Sequence, residues 1–169
     1  MMKYSLYTIL LLSVSLSCFS QDEFESWNRR YRKTNISEVI RLETAYADSV
    51  NKGLIEGKYY ARYDLYRIEA DYLGEQREMA DSIKTSMKNV NKLFGAKEFL
   101  PVITNVKKEY LFRIAGNEYW FPIQQALEED FQHEIKKQDT VTLYCIFFNE
   151  HRWNGALYNT FLISEFRKE

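Results

Sequence analysis

The sequence predicts an α+β protein in which an N-terminal antiparallel helical hairpin or three-helix arm precedes a small, curved antiparallel β-sheet or barrel with one inserted helix. Between residues 35 and 94, apolar side chains recur at steps near 3.6, the period of an amphipathic helix. After Pro101 they fall in short aromatic runs typical of strands. We therefore divide the chain into a signal peptide (1–20), a leader segment (21–33), a helical region (34–99) and a β-rich region (100–169).

The first twenty residues have the form of an export signal. Lys3 supplies one positive charge, residues 6–16 form an apolar run, and Ser20 is a small residue at a suitable cleavage point. The run is shorter than the about twenty apolar residues that a bilayer span needs, so we expect no transmembrane span. We expect cleavage after Ser20 and a periplasmic or secreted product. Cys18 has Ser15 three residues before it, where lipoprotein signals usually have Leu, and this disfavours a lipid anchor at Cys18.

Composition indicates a folded domain without a strong overall field. Removing twenty of the 169 residues leaves about 149, enough for a sizeable core, and 46% of the chain is hydrophobic. The formal net charge of −1 gives no global attraction to nucleic acid or to an anionic membrane. We therefore expect a protein or glycan partner in the cell envelope and no nucleic acid, and we find no motif that calls for a cofactor.

The first predicted helix begins at Asn35, which with Glu38 has the form of a capping box. Gly53 and Gly57 are candidate stops. The apolar stripe of this helix consists of Ile36, Val39, Ile40, Ala47, Val50 and Leu54. Glu43 occupies a position that this stripe would fill with an apolar side chain.

Two further stripes predict a second and a third helix. They consist of Tyr59, Tyr63, Tyr66, Ala70 and Leu73, and of Met79, Ile83, Met87, Val90 and Phe94, with Gly95 as the terminal cap. Tyr60, Ile68 and Tyr72 form another stripe beside the second one, which indicates burial on two sides, either within the core or against another molecule. Gly74 either separates two helices or lies inside one long helix.

The β-rich region is predicted to begin with a long strand over residues 102–114, bent near Lys107. A turn at 115–117 leads to a short strand at 118–122. An amphipathic helix follows, marked by Ile123, Leu127, Phe131 and Ile135, and then two strands at 140–148 and 157–166.

This order of strand, strand, helix, strand, strand resembles the five-stranded barrel of the OB-fold, in which a helix links the third and fourth strands. The resemblance covers residues 101–167 and implies a small, highly curved antiparallel barrel or half-barrel. The alternative is an open α+β sheet packed on its helix.

Cys145 is the one cysteine that remains after signal cleavage, so no internal disulfide can form in the mature chain. Strand alternation places it on the same face as Val141, Leu143 and Phe147. We expect a small buried hydrophobe rather than a nucleophile.

No catalytic or metal-binding motif is present. His133, Glu134 and His151 supply two imidazoles and a carboxylate, but no HExxH or paired-cysteine spacing accompanies them. No GxSxG sequence supports a serine nucleophile. We therefore assign no catalytic residue and no metal site.

The one basic cluster is Arg29-Arg30-Tyr31-Arg32-Lys33, preceded by Trp27. Its position just inside the mature terminus favours a solvated leader to the first helix. Binding of anionic envelope polymers or lipid headgroups is the functional alternative.

The loop from Asn149 to Gly155 is the best candidate for a functional surface, because loops between strands often carry ligands. Its candidate ligand-binding residues are His151, Arg152, Trp153 and Asn154, joined by Trp120 if the two hairpins meet in space. Trp153 with these polar neighbours is suited to stack a sugar or clamp a peptide. The structural alternative is that Trp153 folds back over the end of the barrel.

Three functions are compatible with the sequence. The favoured one is an exported, non-catalytic binding or protein-interaction module. A small envelope enzyme, hydrolase-like, would use carboxylates such as Glu118, Glu150 and Glu165. A structural subunit would oligomerise through the helical arm.

Overall fold

A computed structural model of the protein describes residues 24–169, and the predicted signal peptide and Cys18 lie outside this range. The helices are α1 (residues 24–30), α2 (Ile36–Asn51), α3 (Asp81–Leu93), α4 (Leu100–Asn105) and α5 (Glu128–Glu134). The strands are β1 (Arg32–Lys33), β2 (Ala61–Glu78), β3 (Lys108–Ile114), β4 (Asn117–Pro122), β5 (Thr140–His151) and β6 (Leu157–Lys168). Short 3₁₀ turns occur at Lys97–Phe99 and Gln125–Leu127.

The predicted α+β class is confirmed, with an open sheet. The strands are ordered β4-β3-β2-β5-β6, all antiparallel, and β1 pairs with β2 in parallel outside this path. The sheet curves until β4 approaches β6, where the rings of Phe121 and Phe161 stack at 5.4 Å and a single bridge joins Ile123 to Ile163. The sheet does not close into a barrel, so the closed OB-like alternative is wrong.

The second predicted helix is wrong, because its residues form β2, the 18-residue central strand. Tyr66, Ile68 and Ala70 alternate along the strand and are buried on one face, while Tyr63 and Leu65 pack on the other. A strand that is apolar on both faces presents two sets of hydrophobic residues. The first stripe predicted for this helix mixes the two faces, because Tyr63 packs on one and Tyr66 on the other. Only pairing with β3 and β5 decides between helix and strand.

Gly74 neither separates nor joins helices. Its φ of +81° lies within β2, where the register with β3 shifts between Tyr72 and Gln76. Such a bulge bends a strand, and glycine adopts a positive φ without steric cost. Before the bulge β2 pairs with β5, and after it mainly with β3.

The predicted long strand over residues 102–114 is wrong in its first half. Leu100–Asn105 is α4, with Pro101 in its first turn, and β3 begins at Lys108. Proline is compatible with the first helical turn, where no backbone donor is needed. Ile103 is fully buried beside Met87 on α3.

The helical hairpin or three-helix arm is also wrong, since α2 and α3 lie on opposite faces of the sheet. Ile36 of α2 joins the cluster that includes Phe131 and Phe161, whereas Met87 of α3 joins the cluster that includes Phe148 and Leu162. The sheet therefore draws strands from both predicted regions, 34–99 and 100–169.

Several local predictions are confirmed. The Asn35 side chain accepts a hydrogen bond from the Ser37 amide at 3.1 Å and caps α2. Gly53 and Gly95 have positive φ just beyond the ends of α2 and α3. Cys145 is fully buried, and this burial raises the pKa of its thiol well above the usual range.

The basic cluster lies against the sheet with its charged side chains in solvent. Arg29, Arg30, Arg32 and Lys33 are all exposed. The backbone of this segment is not free, because Arg32 and Lys33 pair with Tyr66 and Arg67 of β2 and the Trp27 ring of α1 lies 5.3 Å from that of Tyr144.

Candidate functional site

One end of the sheet carries an open groove of about 690 Å³, which we call the aromatic groove. Three segments form it: the start of β2 with the residues before it, the last turns of α3, and the junction of β5 with the loop to β6. The lining residues are Tyr59, Tyr60, Ala61, Asn89, Leu93, Glu150, His151, Arg152, Trp153 and Asn154.

Trp153 lies at the mouth of the groove with 82% of its surface exposed. Its ring centroid is 4.2 Å from that of Tyr59, at an interplanar angle of 47°. The structural alternative, in which Trp153 folds back over the end of the barrel, is therefore wrong. Its indole rests on one neighbouring ring and presents the rest of its surface to solvent.

The tight turn after β5 explains this exposure. The Arg152 amide donates to the Ala156 carbonyl at 2.9 Å, and the Asn154 side chain accepts from the Ala156 amide at 3.1 Å. Gly155 closes the turn with a φ of +83°. With the backbone held in this way, Trp153 sits at the tip of the turn and cannot reach the core beneath the sheet.

His151 forms the floor of the groove and is 2% exposed. Its Nε2 lies 3.2 Å from Asn51 Oδ1, and its ring centroid is 4.6 Å from that of Tyr59. Burial lowers the pKa of this imidazole. With Asn51 Oδ1 accepting, Nε2 carries the proton, and Nδ1 is a buried acceptor with no partner among the described residues.

Arg152 and Glu150 form a fixed pair beside the groove. Arg152 Nε donates to Glu150 Oε2 at 2.7 Å, and Asn89 Nδ2 donates to Glu150 Oε1 at 2.9 Å. The Arg152 guanidinium also lies over the Tyr158 ring at 4.6 Å. Its Nη2 is buried and has no hydrogen-bond partner within residues 24–169, which leaves one donor unsatisfied.

Trp120 does not join the groove. It lies on β4 opposite Leu111, and the Arg77 guanidinium is 4.2 Å from its ring centroid. Arg77 is near the C-terminal end of β2, whereas Tyr59 precedes the N-terminal end of that strand. The two hairpins therefore occupy opposite ends of the long central strand.

The structure thus brings together His151, Arg152, Trp153 and Asn154. It adds five residues that the sequence did not predict for the site: Tyr59, Tyr60, Ala61, Asn89 and Leu93. The sequence pattern places Tyr59 in a predicted helical stripe. Leu93, which is 73% exposed, lies on α3 outside the predicted apolar stripe. A large apolar residue off the buried stripe of a helix is the signal that would have identified it.

The three carboxylates considered for an enzyme lie in three places. Glu150 is in the groove, where both of its oxygens are engaged. Glu118 pairs with Arg113 near the β3–β4 turn, and Glu165 lies opposite Tyr144 in the β5–β6 ladder.

A second polar network ties α2 to β2 beside the groove and explains the anomalous Glu43. Glu43 is 7% exposed, accepts from Arg62 Nη1 at 2.6 Å and also accepts from the Tyr60 hydroxyl. Burial and this hydrogen bond raise the pKa of Tyr60. Arg62 also pairs with Asp64 at 2.7 Å. Glu43 is therefore a buried ion-pair partner rather than a break in the packing of α2.

Within residues 24–169, no group of three or more His, Cys, Asp or Glu side chains is arranged to hold a metal ion. His133 lies exposed on α5, remote in the fold from His151. In the same range, no helix has both the length and the apolar character that crossing a bilayer requires.

No protein-family model matches this chain, and neither a curated protein nor a solved structure is significantly similar to it.

Proposed function

We propose that this protein is an exported, non-catalytic binding module, and that it takes a protein or glycan partner at the aromatic groove. The observation that carries the proposal is the exposed indole of Trp153, held against Tyr59 at the mouth of a groove of about 690 Å³. Ligand sites are typically concave and mostly apolar, with a few fixed polar groups.

The aromatic pair is suited to a flat ligand surface. A large aromatic ring that is 82% exposed gains free energy when a partner removes it from water. Because Tyr59 already packs against one side of the indole, binding costs little additional side-chain conformational entropy. The exposed face can therefore stack on a sugar ring or on an apolar peptide side chain.

The polar groups around the aromatic pair can orient a bound partner through hydrogen bonds. The Asn154 amide nitrogen remains available to donate, since its oxygen accepts from the Ala156 amide. The Arg152 guanidinium also lines the groove and is held there by its ion pair with Glu150. Sugar hydroxyls and peptide carbonyls both accept hydrogen bonds, so the Asn154 amide can orient either class of partner.

The test replaces Trp153 with Ala and measures binding to panels of envelope glycans and peptides by calorimetry. We expect the affinity for the recognised partner to fall about tenfold or more, because one central aromatic anchor is removed. The melting temperature should change little, since the ring is exposed.

Trp120→Ala is the matched control, because it removes the same side chain at the other end of the sheet. It should leave the affinity unchanged. Retained binding in Trp153→Ala, or equal loss in both variants, would contradict the placement of the site.

Export is tested separately by mass spectrometry of the protein from fractionated cells. We expect a mature N-terminus at Gln21 in the envelope or the medium. An intact Met1 on cytosolic protein would contradict the localisation without affecting the groove.

A further inference from the structure

Five of the eight large hydrophobic side chains that the described chain leaves exposed come from three segments. Leu54 and Ile55 lie between α2 and β2, Leu93 and Phe94 at the end of α3, and Trp153 in the β5–β6 loop. Leu54 is 72% exposed and Leu93 is 73% exposed. These values are far above those of residues that merely border a core.

The three segments lie at the same end of the sheet. Asn51 at the end of α2 contacts His151, and the Phe94 ring lies 6.0 Å from Tyr63 near the start of β2. Tyr59 and Leu93 both line the aromatic groove with Trp153. The exposed apolar residues therefore surround one end of the molecule, and concentrated apolar surface of this kind marks an interaction site.

Lysines flank the apolar pairs in the two segments next to the groove. Lys52 and Lys58 enclose Leu54 and Ile55, and Lys92 and Lys97 enclose Leu93 and Phe94. With their two glutamates counted, residues 52–58 and 92–98 carry a net charge of +2, whereas the whole chain carries −1. Because charges act over about 8 Å at physiological ionic strength, this local excess matters more than the total.

We propose that this end of the protein docks on an anionic phospholipid surface. Leu54, Ile55 and Phe94 enter the boundary between headgroups and acyl chains, and the flanking lysines lie beside the lipid phosphates. Apolar residues ringed by cations are the combination that binds such surfaces, and both terms contribute to affinity. The aromatic groove then faces the membrane surface, where an envelope partner would meet it.

The charge distribution favours lipid over a second copy of the chain. In a symmetric dimer the same patch would meet itself, which would place the lysine-flanked segments against one another. Like charges at such an interface oppose association. An anionic surface removes the apolar residues from water and neutralises the lysines at the same time.

The experiment is co-sedimentation of the full chain with phosphatidylcholine vesicles, with and without phosphatidylglycerol. Every variant keeps residues 1–20, so any lipid affinity of that segment is common to all measurements. We expect the wild-type protein to bind the anionic vesicles more tightly and to lose that preference as salt is raised.

Leu54→Ser and, separately, Phe94→Ser should each lower the partition coefficient about fivefold, since each removes an apolar group from the bound state. Replacing Lys52, Lys58, Lys92 and Lys97 with Gln should lower binding to anionic vesicles at least tenfold. Phe94 also touches Tyr63, so Leu54→Ser is the variant that leaves the fold least affected.

The matched controls are Leu73→Ser and a variant in which Lys33, Lys107, Lys136 and Lys137 are replaced with Gln. Leu73 is half-buried in the second half of β2, beside Arg113 and Lys137, and the four lysines are exposed. Each control repeats the chemical change away from the proposed surface. Both should bind as the wild type does.

Equal binding to the two kinds of vesicle, or losses in the controls as large as in Leu54→Ser, would overturn the proposal. A dimer in light scattering that Leu54→Ser dissociates would also overturn it and make a second copy the occupant. The groove is tested in solution without lipid, so failure here would leave the function proposed above intact.

Discussion

An arginine, a buried glutamate and a tryptophan lie at each end of the long central strand β2, but the tryptophan is covered at one end and exposed at the other. At the C-terminal end, Arg77 covers the Trp120 ring and pairs with Glu109, which is 2% exposed. At the N-terminal end, Arg152 pairs with Glu150, yet Trp153 is 82% exposed. Trp120 lies within a strand whose neighbours can reach it, whereas Trp153 lies at the tip of a turn. Position in the fold, rather than residue type, decides which aromatic side chain stabilises the protein and which remains available to a partner.

The largest expected effect is at the C-terminal end of β2, where Trp120 is covered. It tests whether the packing at this end contributes most to the free energy of unfolding. Phe131 is fully buried, and its ring contacts Tyr72, Tyr110 and Phe166. Phe131→Ala should lower the free energy of unfolding by about 3–5 kcal/mol in urea titrations, because it opens a cavity. A loss below about 1 kcal/mol would show that the two ends do not differ in this way.

Arg77 and Arg152 each pair with a buried glutamate, one at either end of β2. Arg77→Met removes the partner of Glu109 and should cost roughly 2–3 kcal/mol, since a buried carboxylate is left without its cation.

Arg152→Met should cost less, about 1 kcal/mol, because Asn89 still donates to Glu150. Urea titration of both variants gives the difference. Equal losses would indicate that Asn89 contributes nothing to holding Glu150.

Cys145 lies in the middle of β5, between the two ends, and is fully buried. Cys145→Ala should cost about 1 kcal/mol of unfolding free energy, because a small buried side chain is shortened. Binding at the groove should be unchanged. A stable variant that has lost binding would contradict the purely structural role.

The smallest effect is a pH dependence at the groove end. Burial places the pKa of His151 in the folded protein below its unfolded value of about 6.5. As the pH falls through that value, the unfolded chain binds a proton first, so the free energy of unfolding should decrease on acidification.

His151→Asn should remove this part of the pH dependence, measured as the melting temperature between neutral and mildly acidic pH. His133→Asn, which changes an exposed histidine on α5, is the control and should keep it. An unchanged pH profile in His151→Asn would show that the buried imidazole is not its source.

Sequence reasoning was accurate where structure is determined by neighbouring residues. The Asn35 cap, the glycines after α2 and α3, and the turn at residues 115–117 depend on side-chain hydrogen bonds and on φ angles, both of which are local. The predicted burial of Cys145 with Val141, Leu143 and Phe147 is confirmed, although β5 is buried on both faces and its alternation does not by itself separate core from solvent.

The sequence does not determine the structure where one pattern of apolar residues fits both a helix and a strand. The apolar residues between 59 and 73 satisfy a helix with two stripes and a strand with two buried faces equally well. The groove shows the same limit, because Tyr59, Asn89 and Trp153 are far apart in the chain and no local rule relates them.

The amino-acid order alone determined the α+β class, the cap of α2, the last two strands and the turn before β6, because each depends on the period of hydrophobicity or on turn chemistry. The predicted loop at 149–155 is wrong in its first three residues, since β5 continues to His151 through its pairing with β2 and β6. Only the tertiary structure decided that β2 is a strand, that the sheet stays open, and that Trp153 is exposed while Trp120 is covered. These features depend on pairing and packing between residues distant in sequence, and such contacts are selected by the free energy of the whole fold.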